Sequence, residues 1–276
     1  MRRHLDGMRR IRRTGALGLV WALRACALLL LLVPIVLVVI SSFGTDAYTT
    51  IPPSGLSLRW YANIFARDEF VSSFLASLGI AAIVTPISVT VGTLAAYGIW
   101  KYRLRLAPVL ETLLMSPILL PLVVTGLALL VFINRIGLDA GYAAIAIGHV
   151  IITFPYSFRA VLAALRRYDR QMDDAAASLR ACPRATFRHV TLPLIRPGLF
   201  AGALFAFVMS FDDFAMTIFL IAPGTGTLPI AIYQYMEFNL DPTVSAVSSV
   251  LVLMAIGSVL LIERSIGMER FIGIKA

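Results

Sequence analysis

Charge is what this sequence has least of. Of its 276 residues only 14% are Asp, Glu, Lys or Arg, against about 25% in an ordinary soluble domain. Hydrophobic residues make up 59% of the chain and the mean hydropathy is +0.87. The polar surface that keeps a globular enzyme in solution is missing, which excludes that class and points to an integral membrane protein. Cysteine is almost absent: Cys26 and Cys182 supply neither a disulfide framework nor a Cys/His metal spacing. The three histidines, His4, His149 and His189, are scattered, and no nucleophile motif accompanies them. A membrane-bound enzyme therefore has no chemistry to stand on, and no metal is expected. His149 reads most simply as a hydrogen bonder between packed helices. There is also no Gly-x-x-x-x-Gly-Lys-Ser/Thr phosphate loop.

What is present is a series of long uncharged runs. Arg24 and Asp46 bracket 21 residues, Glu69 and Lys101 bracket 31, Asp139 and Arg159 bracket 19, and Asp241 and Glu263 bracket 21. A further 22 follow Glu111 before Asn134, and 15 lie between Arg196 and Asp212. A hydrocarbon core of about 30 Å needs about 20 helical residues, so the last run qualifies only if its helix continues through Asp212 and Asp213 to Ala222. The pattern predicts an all-α membrane protein of six transmembrane helices, near 20–43, 72–100, 112–133, 141–162, 197–222 and 243–263. It lacks the ten-residue alternation of a membrane β-barrel. Residues 1–45 could also be read as a signal peptide, but their apolar run is too long and no small-x-small site follows.

The net charge of +9 is unevenly placed. The segment up to Arg24, the 101–108 loop, the 159–196 loop and the tail hold 21 of the Lys and Arg residues; the alternate loops hold Arg59, Arg67 and Arg135. By the positive-inside rule the basic side is cytoplasmic. The positive charge is thus a topology signal, and no nucleic-acid partner is expected. The organisation that follows is a basic cytoplasmic N-terminus (1–19), a membrane domain (20–263) with a long cytoplasmic loop (163–196), and a cytoplasmic tail (264–276).

The loops carry the functional information. Leu58 to Phe65, with Trp60 and Tyr61, suits a short helix at the membrane interface. Pro117 and Pro121 should kink the third membrane helix. In the long loop, Asp169 can cap a short helix on which Met172, Ala175, Ala176 and Leu179 share one face. Asp173 and Asp174 sit in its first turns, where the helix dipole favours negative charge. Pro183 opens a second short helix with Phe187 and Val190 among its apolar positions, and Pro193 and Pro197 are expected to end it and start the fifth membrane helix. Such a pair of short helices would make a knob for a partner's cleft, the alternative being a loop that lies on the membrane surface.

Asp174-Ala175-Ala176, Leu179, Arg180 and then Val190-Thr191-Leu192-Pro193 resemble the loop of ABC-importer permeases, which reads Glu-Ala-Ala, three residues, Gly, nine residues, Ile-x-Leu-Pro. The resemblance extends to Ala76-Ser77-Leu78, Met115-Ser116-Pro117 with Pro121, His149 with Phe154-Pro155, Ser210 to Phe214, and Thr227 to Tyr233. The paired aspartates after Ser210 are most like the spermidine/putrescine permeases. Three positions depart from the pattern. Asp174 replaces Glu, and Leu122 stands where polyamine permeases tend to have an acid. Arg180 replaces the Gly of a tight turn, which is then either differently built or strained.

The resemblance implies a type I importer permease in the bacterial inner membrane, with both termini cytoplasmic. It implies as partners a second permease, a cytoplasmic ABC ATPase dimer that binds the ATP, and a periplasmic solute-binding protein, so the chain itself needs no cofactor. It implies that Asp174, Ala175, Ala176, Leu179, Arg180, Val190, Leu192 and Pro193 form the ATPase coupling loop and that Tyr233 lies on the substrate path. The alternatives are another substrate in the same family, such as iron or an aminophosphonate, or a secondary transporter working without ATP.

A small cationic solute such as spermidine or putrescine fits the acids. Asp212 and Asp213 lie past the bilayer midplane in the expected fifth helix, where adjacent side chains point about 100° apart. One can face the path while the other pairs within the protein. Ionisable groups at that depth are costly, about 2.5–3.5 kcal/mol on insertion scales, and normally face protein or a wet cavity. Glu237 and Asp241 add negative charge further out. The competing reading is a helix cap or break before Pro223-Gly224.

Overall fold

The structure, a computed structural model, describes residues 2–48, 50–102 and 104–266, with side chains described over 20–257 of these. The basic run Arg9–Arg13 has its side chains outside that range, and the expected tail beyond 266 lies outside the described residues. Helices dominate, and the described residues include one isolated bridge, Gly44 to Leu56.

Four helices are long and apolar enough to cross a membrane: Val20–Ser41 within α1 (Arg2–Ser41), α3 (Asp68–Tyr102), α6 (Tyr142–Arg167) and the continuous helix Pro183–Asp212. Their ends follow helix electrostatics. Asp68 and Glu69 open α3 and Lys101 closes it, while Arg166 and Arg167 close α6, each charge opposite to the dipole end it meets.

The expected third span is not a kinked rod but two helices, α4 (Ala107–Leu119) and α5 (Leu122–Arg135), bent by 98°. Leu120 is extended (φ −87°, ψ 139°) and Pro121 leads into α5. A residue before proline is pushed out of the helical region, so Pro121 breaks the helix, whereas Pro117 is carried inside α4. Counted as one crossing, the pair raises the total to five. The last helix, α11 (Thr243–Ile266), is apolar over Thr243–Gly257, where its side chains are described.

The expected boundary at Pro193 and Pro197 is also corrected. The short α8 (Pro183–Thr186), a π turn (Phe187–Thr191) and α9 (Leu192–Asp212) run on without a stop. The Leu192 amide reaches back five residues to the Phe187 carbonyl. This wider turn sits directly before Pro193, which cannot donate to the ordinary four-residue ladder.

The described chain forms two compact units. One takes in residues 1–67 and 236–265. Within it the short α2 (Arg59–Ala66) is more than an interfacial anchor: Trp60 is buried and its indole donates to the Gly44 carbonyl at 2.8 Å. Tyr61 shares a 2.7 Å hydrogen bond with Ser42, and Asn63 donates to Thr243 at 2.9 Å.

The other unit includes Asp68–Tyr235 and is built on α3, α6 and α9. Its core has two patches. Ile80 and Val84 pack with Leu129, Ile145, Ile152 and Met216; Ala96, Ile99 and Trp100 pack with Phe158, Val161, Leu165 and Ile195. Small residues set the spacing, as between membrane helices. A Cβ at Gly92 would lie 2.6 Å from the Phe158 amide nitrogen, and one at Gly202 would lie 2.9 Å from Ser157 Cα.

Candidate functional site

The loop expected over 163–196 is shorter: α6 runs on to Arg167, and at the end of the bundle where α3 and α6 finish the chain folds into α7 (Gln171–Ser178) and the start of the 183–212 helix. Asp169 accepts a 2.9 Å hydrogen bond from the Gln171 amide at the entrance to α7. Of the face expected to be apolar, Met172, Ala175 and Leu179 are exposed, and Leu179 is 85% exposed. Ala176, in contrast, is buried beneath the helix. Asp174 and Arg180 are exposed, while Val190, Leu192 and Pro193 are half-buried along the π turn and the start of α9.

The turn after α7 is a Schellman motif. The Ala181 amide donates to the Ala176 carbonyl at 3.0 Å and the Arg180 amide to the Ala177 carbonyl at 2.9 Å. Arg180 has a φ of +58°. The turn is therefore built as a glycine would build it, with an arginine held in the left-handed region.

Beneath α7 lies a polar knot that the sequence did not disclose. Asp173 accepts from Lys101 at the end of α3 at 2.5 Å, from the Tyr168 hydroxyl after α6 at 2.6 Å, and from Thr191 in the π turn at 3.4 Å. Arg170 lies over the Trp100 ring at 4.5 Å and donates to the Trp100 carbonyl. Burial opposes the Asp173 carboxylate, but the Lys101 and Tyr168 hydrogen bonds outweigh it and hold its pKa below the usual value. Burial, helped by the bond to Asp173, pushes the Tyr168 phenol up to about 12. No local pattern could have marked this knot, since Lys101 lies 72 residues from Asp173.

The two aspartates of the expected fifth helix part company. The helix stops at Asp212, which is exposed, and Asp213 is extended (φ −69°, ψ 121°) and buried. The expected continuation to Ala222 is replaced by a single 3-10 turn, Thr217–Phe219. Asp213 accepts from the Thr217 amide at 2.9 Å and the Thr217 hydroxyl at 2.8 Å, and lies 3.5 Å from His149. His149 is fully buried, with Ser210 2.9 Å from Nδ1 and Thr217 2.9 Å from Nε2. Because Thr217 donates to Asp213, its hydroxyl accepts from His149 Nε2–H, while the Ser210 hydroxyl is the hydrogen-bond partner of Nδ1. The network satisfies a helix break inside the bundle, where unpaired polar groups are costly.

The remaining expected residues are dispersed. Tyr233, on α10 (Leu228–Phe238), is 43% exposed with its ring 5.0 Å from Phe214. Glu237 is exposed, and Asp241 accepts from the Thr243 amide at 2.9 Å to cap α11. Where α3 and α6 begin, Glu69, Ser72, Tyr142, Thr225 and Gln234 help line an open cavity of about 580 Å³ in which Glu69 is the one charged side chain. Among the described residues no cluster of His, Cys, Asp or Glu could hold a metal.

A bundle of long apolar helices, interrupted inside by a satisfied polar break and closed at one end by a structured helical loop, is the architecture of a membrane permease subunit. The chain belongs to the family of binding-protein-dependent transport system inner membrane components, whose pattern matches residues 88–266.

It is 32% identical over 233 residues to the putrescine transport system permease protein PotI of Escherichia coli (strain K12), covering 82% of each chain. It is 26% identical over 226 residues to the spermidine/putrescine transport system permease protein PotC of the same strain, covering 82% of this chain and 85% of that one. Among solved structures, it resembles a chain of a bacterial ABC transporter involved in the import of the acidic polysaccharide alginate. The TM-score is 0.69 at 17% identity, covering 90% of this chain and 94% of that one. The MetNI methionine ABC transporter gives 0.60 at 19% identity over 70% and 91%. The fold is thus that of ABC-transporter permeases, and the relatives are transport subunits rather than enzymes.

Proposed function

We propose that this chain is one of two permease subunits of an ATP-driven importer in a bacterial inner membrane, crossing it six times with both termini cytoplasmic. It forms part of the path for a small cationic solute such as spermidine or putrescine. The observation that carries the coupling role is the exposed Met172–Ala175–Leu179 face of α7, presented on a loop anchored from below. A cytoplasmic ABC ATPase dimer grips that face and hydrolyses the ATP, and a periplasmic solute-binding protein delivers solute to the opposite side. ATP binding on another polypeptide moves this chain through contacts that differ between its two states.

The cationic substrate is supported by the polyamines for which the PotI and PotC relatives are named and by Asp212, an exposed carboxylate at the helix break. A second reading, import of an aminophosphonate, is favoured by 25% identity over 233 residues to a putative 2-aminoethylphosphonate transport system permease protein of Salmonella paratyphi A.

Uptake of radiolabelled putrescine and of 2-aminoethylphosphonate in a strain deleted for this gene, with and without the gene restored, separates the two. Restored putrescine uptake supports the first reading, and restoration of only the phosphonate replaces it. Coupling is tested in the same strain with Ala175→Arg, which places a bulky cation on the exposed face. Uptake should fall while the subunit still inserts; normal uptake through an intact complex would remove α7 as the docking element. Ala176→Arg is the poorer probe, because Ala176 is buried within the loop.

A further inference from the structure

α7 is thinly attached to its own chain. Among its eight residues only Asp173 and Ala176 are buried, and an alanine methyl gives little grip. The polar attachment is concentrated on Asp173, whose carboxylate meets three separate elements. One oxygen takes the Lys101 ammonium at the end of α3; the other takes the Tyr168 hydroxyl after α6 and the Thr191 hydroxyl in the π turn. Those three elements continue as the three helices of the core. α3 alone, at 35 residues, is a rod of about 50 Å that begins beside the Glu69 cavity at the far end. The helix entered at Thr191 ends at Asp212, and α6 carries His149 to Asp213.

We infer that Asp173 is the positioning residue through which displacement of α7 is delivered to α3, α6 and the 183–212 helix together. This rests on the proposed docking of an ATPase on α7 and goes beyond it. The exposed face receives the partner, whereas Asp173, on the opposite side, makes the loop move the bundle rather than pivot alone. A carboxylate suits the task because it accepts several donors at once from different directions, and charge-assisted bonds hold their geometry where a lone alanine contact would slide. Arg170 on Trp100 adds a second tie to the end of α3.

The test uses the complete complex in proteoliposomes: this chain with its second permease, ATPase and solute-binding protein. Basal ATP hydrolysis, its stimulation by loaded binding protein, and uptake of radiolabelled putrescine are measured together. Asp173→Asn should retain the ATPase at wild-type stoichiometry and keep basal hydrolysis, while stimulation and solute moved per ATP fall about tenfold, within the usual range of coupling between sites. Asp173→Glu should recover part of the ratio.

Wild-type stimulation in Asp173→Asn, or a parallel fall of basal and stimulated rates, overturns the inference. So does loss of the ATPase from that variant alone, which would make Asp173 a docking residue. If the unmodified chain recruits no ATPase, it is the proposed function that has failed. Should Asp173→Asn not accumulate, Lys101→Met and Tyr168→Phe decide. Each keeps Asp173, and a coupling ratio that falls non-additively in the double variant supports the hub; an unchanged ratio overturns it.

Discussion

Arg180 shows how a single side chain can depart from a motif without changing its geometry. The left-handed region costs a non-glycine residue roughly 1–2 kcal/mol, and the exposed arginine is held there by the Schellman hydrogen bonds. Arg180→Gly removes that cost and no buried contact. Thermal unfolding of the purified complex, or the rate of proteolysis at 179–181, should show the loop stabilised by about 1 kcal/mol. Asp212 and Asp213 form a second contrast at this scale. Asp212→Asn removes an exposed charge at the break, so the half-saturating putrescine concentration should rise about tenfold, the equivalent of about 1.4 kcal/mol, with assembly unchanged. Asp213→Asn instead perturbs the buried Thr217 and His149 partners and should lower the amount of folded protein. Equal effects from the two variants would contradict the division of labour.

Elements in this molecule are defined as much by how closely they approach as by their own sequence. α3 carries Gly92 against the α6 backbone, whereas Gly98 on the same helix faces open space, with nothing within 4 Å of where a methyl would sit. Gly92→Ala must push α6 away and should cost about 1–3 kcal/mol. Gly98→Ala should be neutral or slightly stabilising, since alanine is the better helix former by about 1 kcal/mol. Melting midpoints of the detergent-solubilised chain distinguish them. The sequence disclosed the helical nature of these segments through their uncharged runs, but not their breaks. Pro121 and Pro193 look alike in the chain, yet one ends a helix at 98° and the other follows a π turn that absorbs it. The difference lies in the backbone before each proline: Leu120 is extended, whereas Phe187–Thr191 widen into the π turn.

Charge alone predicts a sidedness for the whole molecule. If the 163–196 loop is cytoplasmic, a membrane-impermeant maleimide should label the exposed Cys182 in permeabilised or inside-out vesicles and not in intact spheroplasts. Labelling of intact spheroplasts would reverse the topology. The Glu69 cavity, at the opposite end of α3 from that loop, should then open to the outside.

The sequence by itself determined the membrane class, the family and the loop motif. Each rests on composition or on residues within about 20 positions of one another, which need no knowledge of the fold. Tertiary structure alone decided which of two adjacent aspartates is buried, that Ala176 faces inward while Ala175 faces out, and that Asp173 ties three helices together. Those outcomes depend on partners brought from far along the chain: His149 for Asp213, and Lys101 for Asp173. Two neighbouring carboxylates have the same chemistry in isolation; only the donors that the packed helices place beside Asp213 bury it, while Asp212 stays exposed.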